Sequence, residues 1–253
     1  RCPTTGARLC TVMLYRYDGT KCGFLTAFCR AFQDKAARLS SGSVQLALGE
    51  TCEDVTADAA LAERAEKRFL SFDGGCIREL ERMLHSGAPD KDEVIFNYFR
   101  MIATKKRPVR EMLAEDAVRK AEDCILRIRV EIDHMKGFLR FMETKSGAMY
   151  ALCSPDNDII DLLLRHFRAR MPHFPFLIHD VSRAKAAIWD GAHCYFAPLG
   201  RAEIELSDDE CAWQTLWRDY YKSVNIPSRE RLKQMRGYLP VRYMKFMNEF
   251  FGH

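Results

Sequence analysis

The chain has 253 residues, of which 47% are hydrophobic and 29% charged, and a formal net charge of +4. That is enough apolar material for one sizeable core or two modest ones, and no apolar run approaches the ~20 residues that cross a bilayer, which argues against a membrane-spanning helix. Arg1 to Val12 lacks the long apolar core of a signal peptide and Arg1 to Cys10 reads as a loose end, so a soluble, cytoplasmic protein is expected.

Ten cysteines are scattered along the chain without a Cys-x-x-Cys pair or a Cys-x3-Cys-x2-Cys cradle. This argues against a zinc ribbon, a redox dithiol or an iron–sulfur cluster, and for small buried thiols in a reducing compartment. No metal or cofactor is called for. The charge is distributed unevenly: residues 50–99 hold 12 acidic and 6 basic side chains, residues 100–142 hold 7 and 11, and residues 211–253 hold 3 and 8. If the two basic segments meet they make a surface suited to phosphates; otherwise they balance the acidic segment within the fold.

In chain order, Thr11 to Tyr17 alternates like a short strand and ends at Asp18-Gly19. Phe24, Leu25, Phe28, Ala31 and Phe32 recur at helical spacing, predicting a helix from Lys21 to about Ala37. Val44 to Leu48 reads as another short strand. Thr56 to about Thr104 reads as helices broken at Asp73-Gly74-Gly75 and Gly87-Ala88-Pro89, and Lys105-Lys106-Arg107-Pro108 is a basic connection. Val118, Ala121, Ile125, Ile128, Ile132 and Met135 form the clearest helical core stripe, with Gly137 as the stop and His134 and Lys136 in the last turn, where cations are favoured.

Phe138 to Glu143 and Ala148 to Cys153 make a predicted hairpin around Lys145-Ser146-Gly147. A helix from about Asn157 to Met171 follows, then strands at Phe176 to Asp180, Lys185 to Trp189 and His193 to Ala197, the last two joined by Asp190-Gly191. The expected fold is therefore α+β. It has an antiparallel sheet of about five strands with a helix inserted after the second, flanked by N-terminal and C-terminal helices. It reads as a single domain, with a helical part over about 1–135 and a sheet-plus-helices part over about 136–253. Ser207-Asp208-Asp209-Glu210 has capping-box spacing, and Trp213, Leu216, Trp217, Tyr220 and Val224 line one face of the helix that follows. Two shorter helices, Arg229 to Arg236 and Pro240 to Phe251, have basic faces carrying Arg229, Lys233, Arg236, Arg242 and Lys245.

The chain has no phosphate-binding Gly-x4-Gly-Lys-Ser/Thr, no Gly-x-Ser-x-Gly elbow, no His-Glu-x-x-His and no His-x-Glu deaminase pattern. What remains is a constellation of His134, His166, His179, Asp180, Arg140, Arg170 and Arg183. His134 or His166 would serve as acid or base with Asp180 orienting it, or these are satisfied structural histidines. Asp180 and Arg183 also suit the closing of a turn. Arg140 shares a strand face with Phe138 and Met142, so it either pairs with Asp180 or Glu131 or presents its guanidinium to a phosphate or a flipped base.

Lys136-Gly137-Phe138-Leu139-Arg140-Phe141, Met149-Tyr150-Ala151, His166-Phe167-x-x-Arg170, Ile178-His179-Asp180-x-x-Arg183, Leu216-Trp217-x-x-Tyr220 and Pro240-x-Arg242-Tyr243 together resemble an uncharacterised bacterial family assigned to DNA metabolism or DNA repair. Tyr17-Asp18-Gly19 and Gly23-Phe24-Leu25 extend the resemblance over most of the chain. It implies a domain of unknown function found beside radical-SAM DNA repair proteins and fused to uracil-DNA glycosylase-like proteins. It carries over no catalytic residue, and Asp133-His134 stands where the family has His-Arg. The chain lacks the cysteine triplet of a radical-SAM enzyme and the glycosylase motifs, so the resemblance implies a DNA-binding accessory. In that role Lys136, Arg140, Arg170, Arg183, Arg229, Lys233, Arg236, Arg242 and Lys245 would hold the backbone, and Tyr220, Tyr221 and Tyr243 would either stack on a base or sit in the core. The alternatives are an enzyme acting on damaged DNA or nucleotides through His134, His166 and Asp180, and a scaffold that touches a partner protein through the acidic 50–99 segment.

Overall fold

The computed structural model of the chain describes residues 12–42, 46, 50–224, 234 and 237–247. The chain divides into two compact units, Arg1–Ile128 and Arg129–His253. Among the described residues no helix is long and apolar enough to cross a membrane.

In the first unit, Val12–Arg16 forms β1 and Lys21–Ala31 forms α1. The turn between them is fixed locally. Asp18 Oδ1 accepts from the backbone N and the Oγ1 of Thr20 at 2.9 and 2.7 Å, and Thr20 Oγ1 accepts from Gly23 N at 3.0 Å. Gly19 sits at φ +78°, where a side chain is strained. A Cβ on Gly23 would lie 2.0 Å from Asp18 Oδ1, so this glycine lets the turn close onto the helix.

Arg38–Ser40 (β2) and Glu50–Asp54 (β3) flank β1, both parallel to it, in the order β2-β1-β3. Alternation picks out β1 in the sequence but neither neighbour, since β2 has three residues and β3 reads Glu-Thr-Cys-Glu-Asp with no apolar rhythm. The strand expected at 44–48 lies, except for Leu46, outside the described residues. α1 is also shorter than its predicted reach to Ala37.

Three helices follow, α2 (Ala59–Phe72), α3 (Cys76–Leu84) and α4 (Lys91–Lys105), interrupted at the two glycine-containing breaks read from the sequence. Phe24, Phe28, Phe69, Phe96 and Phe99 meet largely edge to face in the core, the tightest pair being Phe69 and Phe99 at 4.9 Å between ring centroids. Two buried carboxylates are satisfied there. Asp92 accepts from Tyr17 OH at 2.6 Å and from Ser41 N at 2.6 Å, and Glu79 accepts from Tyr98 OH at 2.8 Å and pairs with Arg110 Nε at 2.6 Å. Burial pushes the Glu79 carboxyl above its ordinary range, while the Tyr98 hydroxyl and Arg110 pull it back.

Helix α5, Asp116–Phe138, contains the unit boundary. Val118, Ala121, Ile125, Ile128 and Met135 of the predicted stripe are buried. The second unit then builds a five-stranded sheet in the order β4-β5-β6-β7-β8, from Phe141–Glu143, Met149–Cys153, Phe176–Asp180, Lys185–Trp189 and Cys194–Pro198, with α6 at Ile160–Arg170. The α+β reading stands, but the sheet is not purely antiparallel: β5 and β6 run parallel, Met149 opposite Phe176 and Cys153 opposite Asp180. The inserted helix is the reason. α6 carries the chain back to the start of β5, so β6 enters in the same direction, as any β-helix-β crossover must.

Ile160, Leu163, Leu164 and Phe167 of α6 are buried, and Phe141 meets Phe167 at 4.9 Å and Phe176 at 5.6 Å. The β7–β8 turn has Gly191 at φ +99° and Asp190 Oδ1 accepting from the N–H groups of Ala192 and His193 at 2.7 and 2.6 Å. β8 is one of the two edge strands, and it ends at Pro198, followed by Leu199 N donating to Ala184 O at 2.7 Å.

Helix α7, Asp208–Val224, starts at the predicted cap, with Ser207 Oγ accepting from Glu210 N at 3.0 Å. The box does not close reciprocally, because the Glu210 carboxylate takes Glu143 N at 3.1 Å and Gln214 Nε2 at 2.9 Å. Its apolar face is exposed rather than core, Trp213 at 65% and Leu216 at 58%. Helical spacing reports that residues share a face, not that anything covers it. The helix expected at Arg229 to Arg236 lies, except for Gln234, outside the described residues, and the one expected from Pro240 begins as the turn Val241–Met244 (α8), with Pro240 as its cap. The buried-thiol expectation holds for Cys76, Cys124 and Cys153, whereas Cys52, Cys194 and Cys211 are exposed.

Two glycines on helices separate packing from propensity. Gly137→Ala meets nothing within 4 Å and should stabilise the chain in urea unfolding by about 0.5 kcal/mol. Gly23→Ala should cost about 1–2 kcal/mol in the same assay, because the new Cβ expels the Asp18 carboxylate that caps the turn.

Candidate functional site

The parallel strands β5 and β6 end side by side at Cys153 and Asp180. Loops leaving the carboxyl ends of parallel strands are the usual place for ligand-facing side chains. Here these loops are fastened by charges. Asp180 is fully buried; its Oδ1 accepts from Ser182 N at 3.0 Å, Ser182 Oγ at 2.6 Å and Arg183 N at 3.2 Å, and its Oδ2 from Arg183 Nη1 at 2.9 Å. The Arg183 fork continues to the carbonyls of Pro155 and Asp156 at 2.9 and 2.6 Å, so one guanidinium ties both loops together.

Glu131 on α5, 3% exposed, holds the same loop from the other side. It accepts from Asp156 N at 2.8 Å, Asn157 N at 2.9 Å, Asn157 Nδ2 at 2.6 Å and Tyr243 OH at 2.8 Å, with Arg242 Nη2 at 3.4 Å. Arg242 Nη1 pairs with Asp156 at 2.5 Å while its guanidinium lies 4.8 Å from the Tyr243 ring centroid. Burial, with the Glu131 charge, pushes the Tyr243 phenol far above its ordinary value. Burial and the nearby Asp180 do the same to the Cys153 thiol.

His179 is equally committed. Its Nε2 lies 3.0 Å from Leu199 O, a pure acceptor, so the proton is on Nε2 and Nδ1 is left to take the Tyr150 hydroxyl at 2.8 Å. Asp180, Arg183 and Arg242 thus belong to a structural network joined at Asp156, and neither His134 nor His166 is among the partners of Asp180. Tyr243 is buried with its hydroxyl on Glu131, so of the base-stacking candidates it is a core residue, whereas Tyr220 is exposed.

A second group is built on the ends of α5 and α6. The last turns of α6 carry Arg165, His166, Arg168 and Arg170, against the single acidic Asp161 near its start. Arg165 and Arg170 are exposed and enter no ion pair among the described residues. Arg168 lies 5.8 Å from the Trp189 ring centroid. Lys136, on α5, pairs with the exposed Asp133 at 3.0 Å. The His166 Nε2 is buried without a hydrogen-bond partner among the described residues, and burial first, then Lys136 and Arg170, pull its imidazole below the ordinary 6.5.

The structure thus brings Lys136, His166 and Arg170 into one electropositive group. Arg140 Nη1 donates to Gly137 O at 2.9 Å, one of the carbonyls left open at the end of α5. The two carboxylates considered as its partners, Asp180 and Glu131, are taken by other donors. The His134 ring lies 5.5 Å from Phe138 and 6.5 Å from Tyr243, and Lys245 Nζ lies 4.7 Å from the Phe246 ring. Arg229, Lys233 and Arg236 fall outside the described residues. Sequence reading missed Asp156 and Asn157, which act through backbone groups as well as through the Asp156 carboxylate and the Asn157 carboxamide, and Arg165 and Arg168, whose clustering with Arg170 in one helix was the available signal. Among the described residues no group of three or more His, Cys, Asp and Glu is placed to hold a metal ion.

Fold and site together define an α+β protein with a self-satisfied polar network and, on α6, two exposed arginines, Arg165 and Arg170, that enter no ion pair among the described residues. Residues 89–249 match the model of the family described as a domain of unknown function, DUF4130, and the chain belongs to that family. No curated protein and no solved structure matches the chain.

Two measurements follow from these geometries. Glu131→Ala leaves four donors without their acceptor and Arg242 with the Asp156 carboxylate alone, and should cost about 2–4 kcal/mol in denaturant unfolding. Because His166 is held below 6.5, its contribution to stability is present above that value and declines as pH falls through the lower folded-state value. An imidazole titration by NMR should therefore show His166 below 6.5 in the native chain and at the ordinary value after unfolding.

Proposed function

We propose that this protein is a DNA-binding accessory of DNA metabolism or repair, grasping the phosphate backbone with the cations at the ends of α5 and α6. The observation that supports this reading is the contrast between two sets of basic side chains in the second unit. Arg183, Arg242 and Lys185 are each held by a carboxylate at 2.5–2.9 Å, and serve the fold. Arg165 and Arg170 are exposed and enter no ion pair among the described residues, and burial first, then Lys136, itself shared with Asp133, and Arg170 pull the His166 imidazole below its ordinary value. Exposed cations without a carboxylate partner are the kind of group that phosphate recognition uses.

The resemblance noted in the sequence gives the context in which such binding would be used, beside a radical-SAM or uracil-DNA glycosylase-like partner. Binding is favoured over catalysis because Asp180, the residue that would orient a catalytic histidine, spends its hydrogen bonds on Ser182 and Arg183. In this reading Lys136, Arg140, Arg165 and Arg170 touch phosphates, and protonation of His166 adds a further positive charge.

The test is fluorescence anisotropy with labelled single-stranded and duplex oligonucleotides across a salt series. Lys136→Ala/Arg170→Ala should weaken binding and lower the slope of log K against log salt by about 0.7–0.9 for each phosphate no longer neutralised, with unfolding unchanged. The affinity of the unaltered chain should also rise as pH falls below about 6.5, where an anion favours the imidazolium. Binding that is absent at low salt, or that ignores the double substitution, overturns the proposal. Arg183 and Arg242 are unsuitable probes, since replacing either disturbs the loops they hold.

A further inference from the structure

The first unit contains a cleft of about 510 Å³ between α4 and the first turns of α5, in a part of the chain the DNA-binding reading does not use. Along its α4 wall stand Asp90, Glu93, Asn97, Met101 and Lys105, whose steps of three and four place them on one helical stripe. Glu93, Asn97 and Lys105 make no side-chain hydrogen bond or ion pair among the described residues, although all three can reach solvent. On the opposite wall the charges are already spent, Asp116 being paired with Arg119 and, at 2.9 Å, with Lys120. Met101, Val94 and Ala117 provide an apolar lining between the polar groups.

We propose that this cleft binds an extended peptide segment of a partner protein, with a basic side chain at the Asp90/Glu93 end and an acidic one at the Lys105 end. Four features carry the proposal. The carboxamide of Asn97 offers a donor and an acceptor, the same pair a peptide unit presents, and it stands midway along the cleft with both unused among the described residues. The charges at the two ends are of opposite sign, so they select a segment of opposite polarity and fix its direction. From Glu93 to Lys105 the helix rises about 18 Å, which about five residues of extended chain span at roughly 3.3 Å each. Met101 is unbranched and adapts to whatever apolar side chain lies between the charged ends. A nucleic-acid strand does not fit these terms, because its phosphates would meet Asp90 and Glu93.

The experiment uses the full chain and four fluorescein-labelled pentapeptides with blocked ends: Lys-Ala-Leu-Ala-Glu, Glu-Ala-Leu-Ala-Lys, Lys-Ala-Leu-Ala-Lys and Glu-Ala-Leu-Ala-Glu. Anisotropy should show one of the two mixed-charge peptides binding about tenfold more tightly than either like-charged peptide. Glu93→Lys should transfer the preference to Glu-Ala-Leu-Ala-Glu. Asn97→Leu should weaken the preferred peptide by about tenfold while the melting temperature and the oligonucleotide affinity stay as they were. Equal binding of all four peptides, a preference unmoved by Glu93→Lys, or displacement of the bound peptide by a single-stranded oligonucleotide overturns it. The Lys136→Ala/Arg170→Ala protein should bind the preferred peptide normally, which keeps the outcome separate from that for DNA.

Discussion

The second unit depends on one buried negative charge. Glu131 takes hydrogen bonds from two backbone amides, a carboxamide and a phenol while lying 3.4 Å from a guanidinium. Removing a carboxylate from water is expensive, and only such a full set of donors makes the cost bearable. Because those donors come from the 156–157 loop and from the 242–243 segment, a single side chain on α5 fixes two stretches far apart in the sequence. Arg183 completes the arrangement by bridging Asp180 to the Pro155 and Asp156 carbonyls. The loops at the carboxyl ends of β5 and β6 are therefore held by charge pairing and hydrogen bonds in addition to apolar packing.

This arrangement separates charges that maintain the fold from charges that remain available. Where Arg183 reaches the buried Asp180, its other N–H groups are also placed on carbonyls, and little of the fork is left for a ligand. The exposed arginines of α6 have no such acid among the described residues. They stand at the helix end whose exposed carbonyls favour cations, so their clustering there costs little in the folded state. The imidazole of His166 is depressed first by the burial that shuts its Nε2 away from solvent and then by the nearby charges of Lys136 and Arg170.

How much of this was legible in the sequence depended on the kind of signal. The Val118-to-Met135 stripe of α5 was readable because burial follows the helical period, whereas the strands at 176–180 and 185–189, along which burial does not alternate, were readable as short apolar runs, the second ended by the Asp190-Gly191 turn. The parallel pairing of β5 and β6 was implied by the helix between them, and assigning an antiparallel sheet overlooked that connection. β3 was not legible, since a short polar strand owes its existence to a neighbour and not to its own side chains. At the site, residue type singled out Asp180, Arg183, His166 and Arg170 as residues around which charge gathers. It could not say which of them would be spent on one another, because that is decided with backbone groups such as Ser182 N, Arg183 N and the Pro155 carbonyl, which carry no signature of residue type.

The edge strand β8 bears on how the molecule behaves at high concentration. Leu199 turns its N–H inward to Ala184, so by alternation the amides of Cys194, Phe196 and position 198 point away from β7. Position 198 is proline and has no N–H to offer. A foreign strand laid along this edge, drawn there by the exposed rings of Tyr195 and Phe196, finds the last rung of the ladder missing. The sheet thus ends in a poor template, which discourages the chain-to-chain growth that an exposed aromatic edge invites.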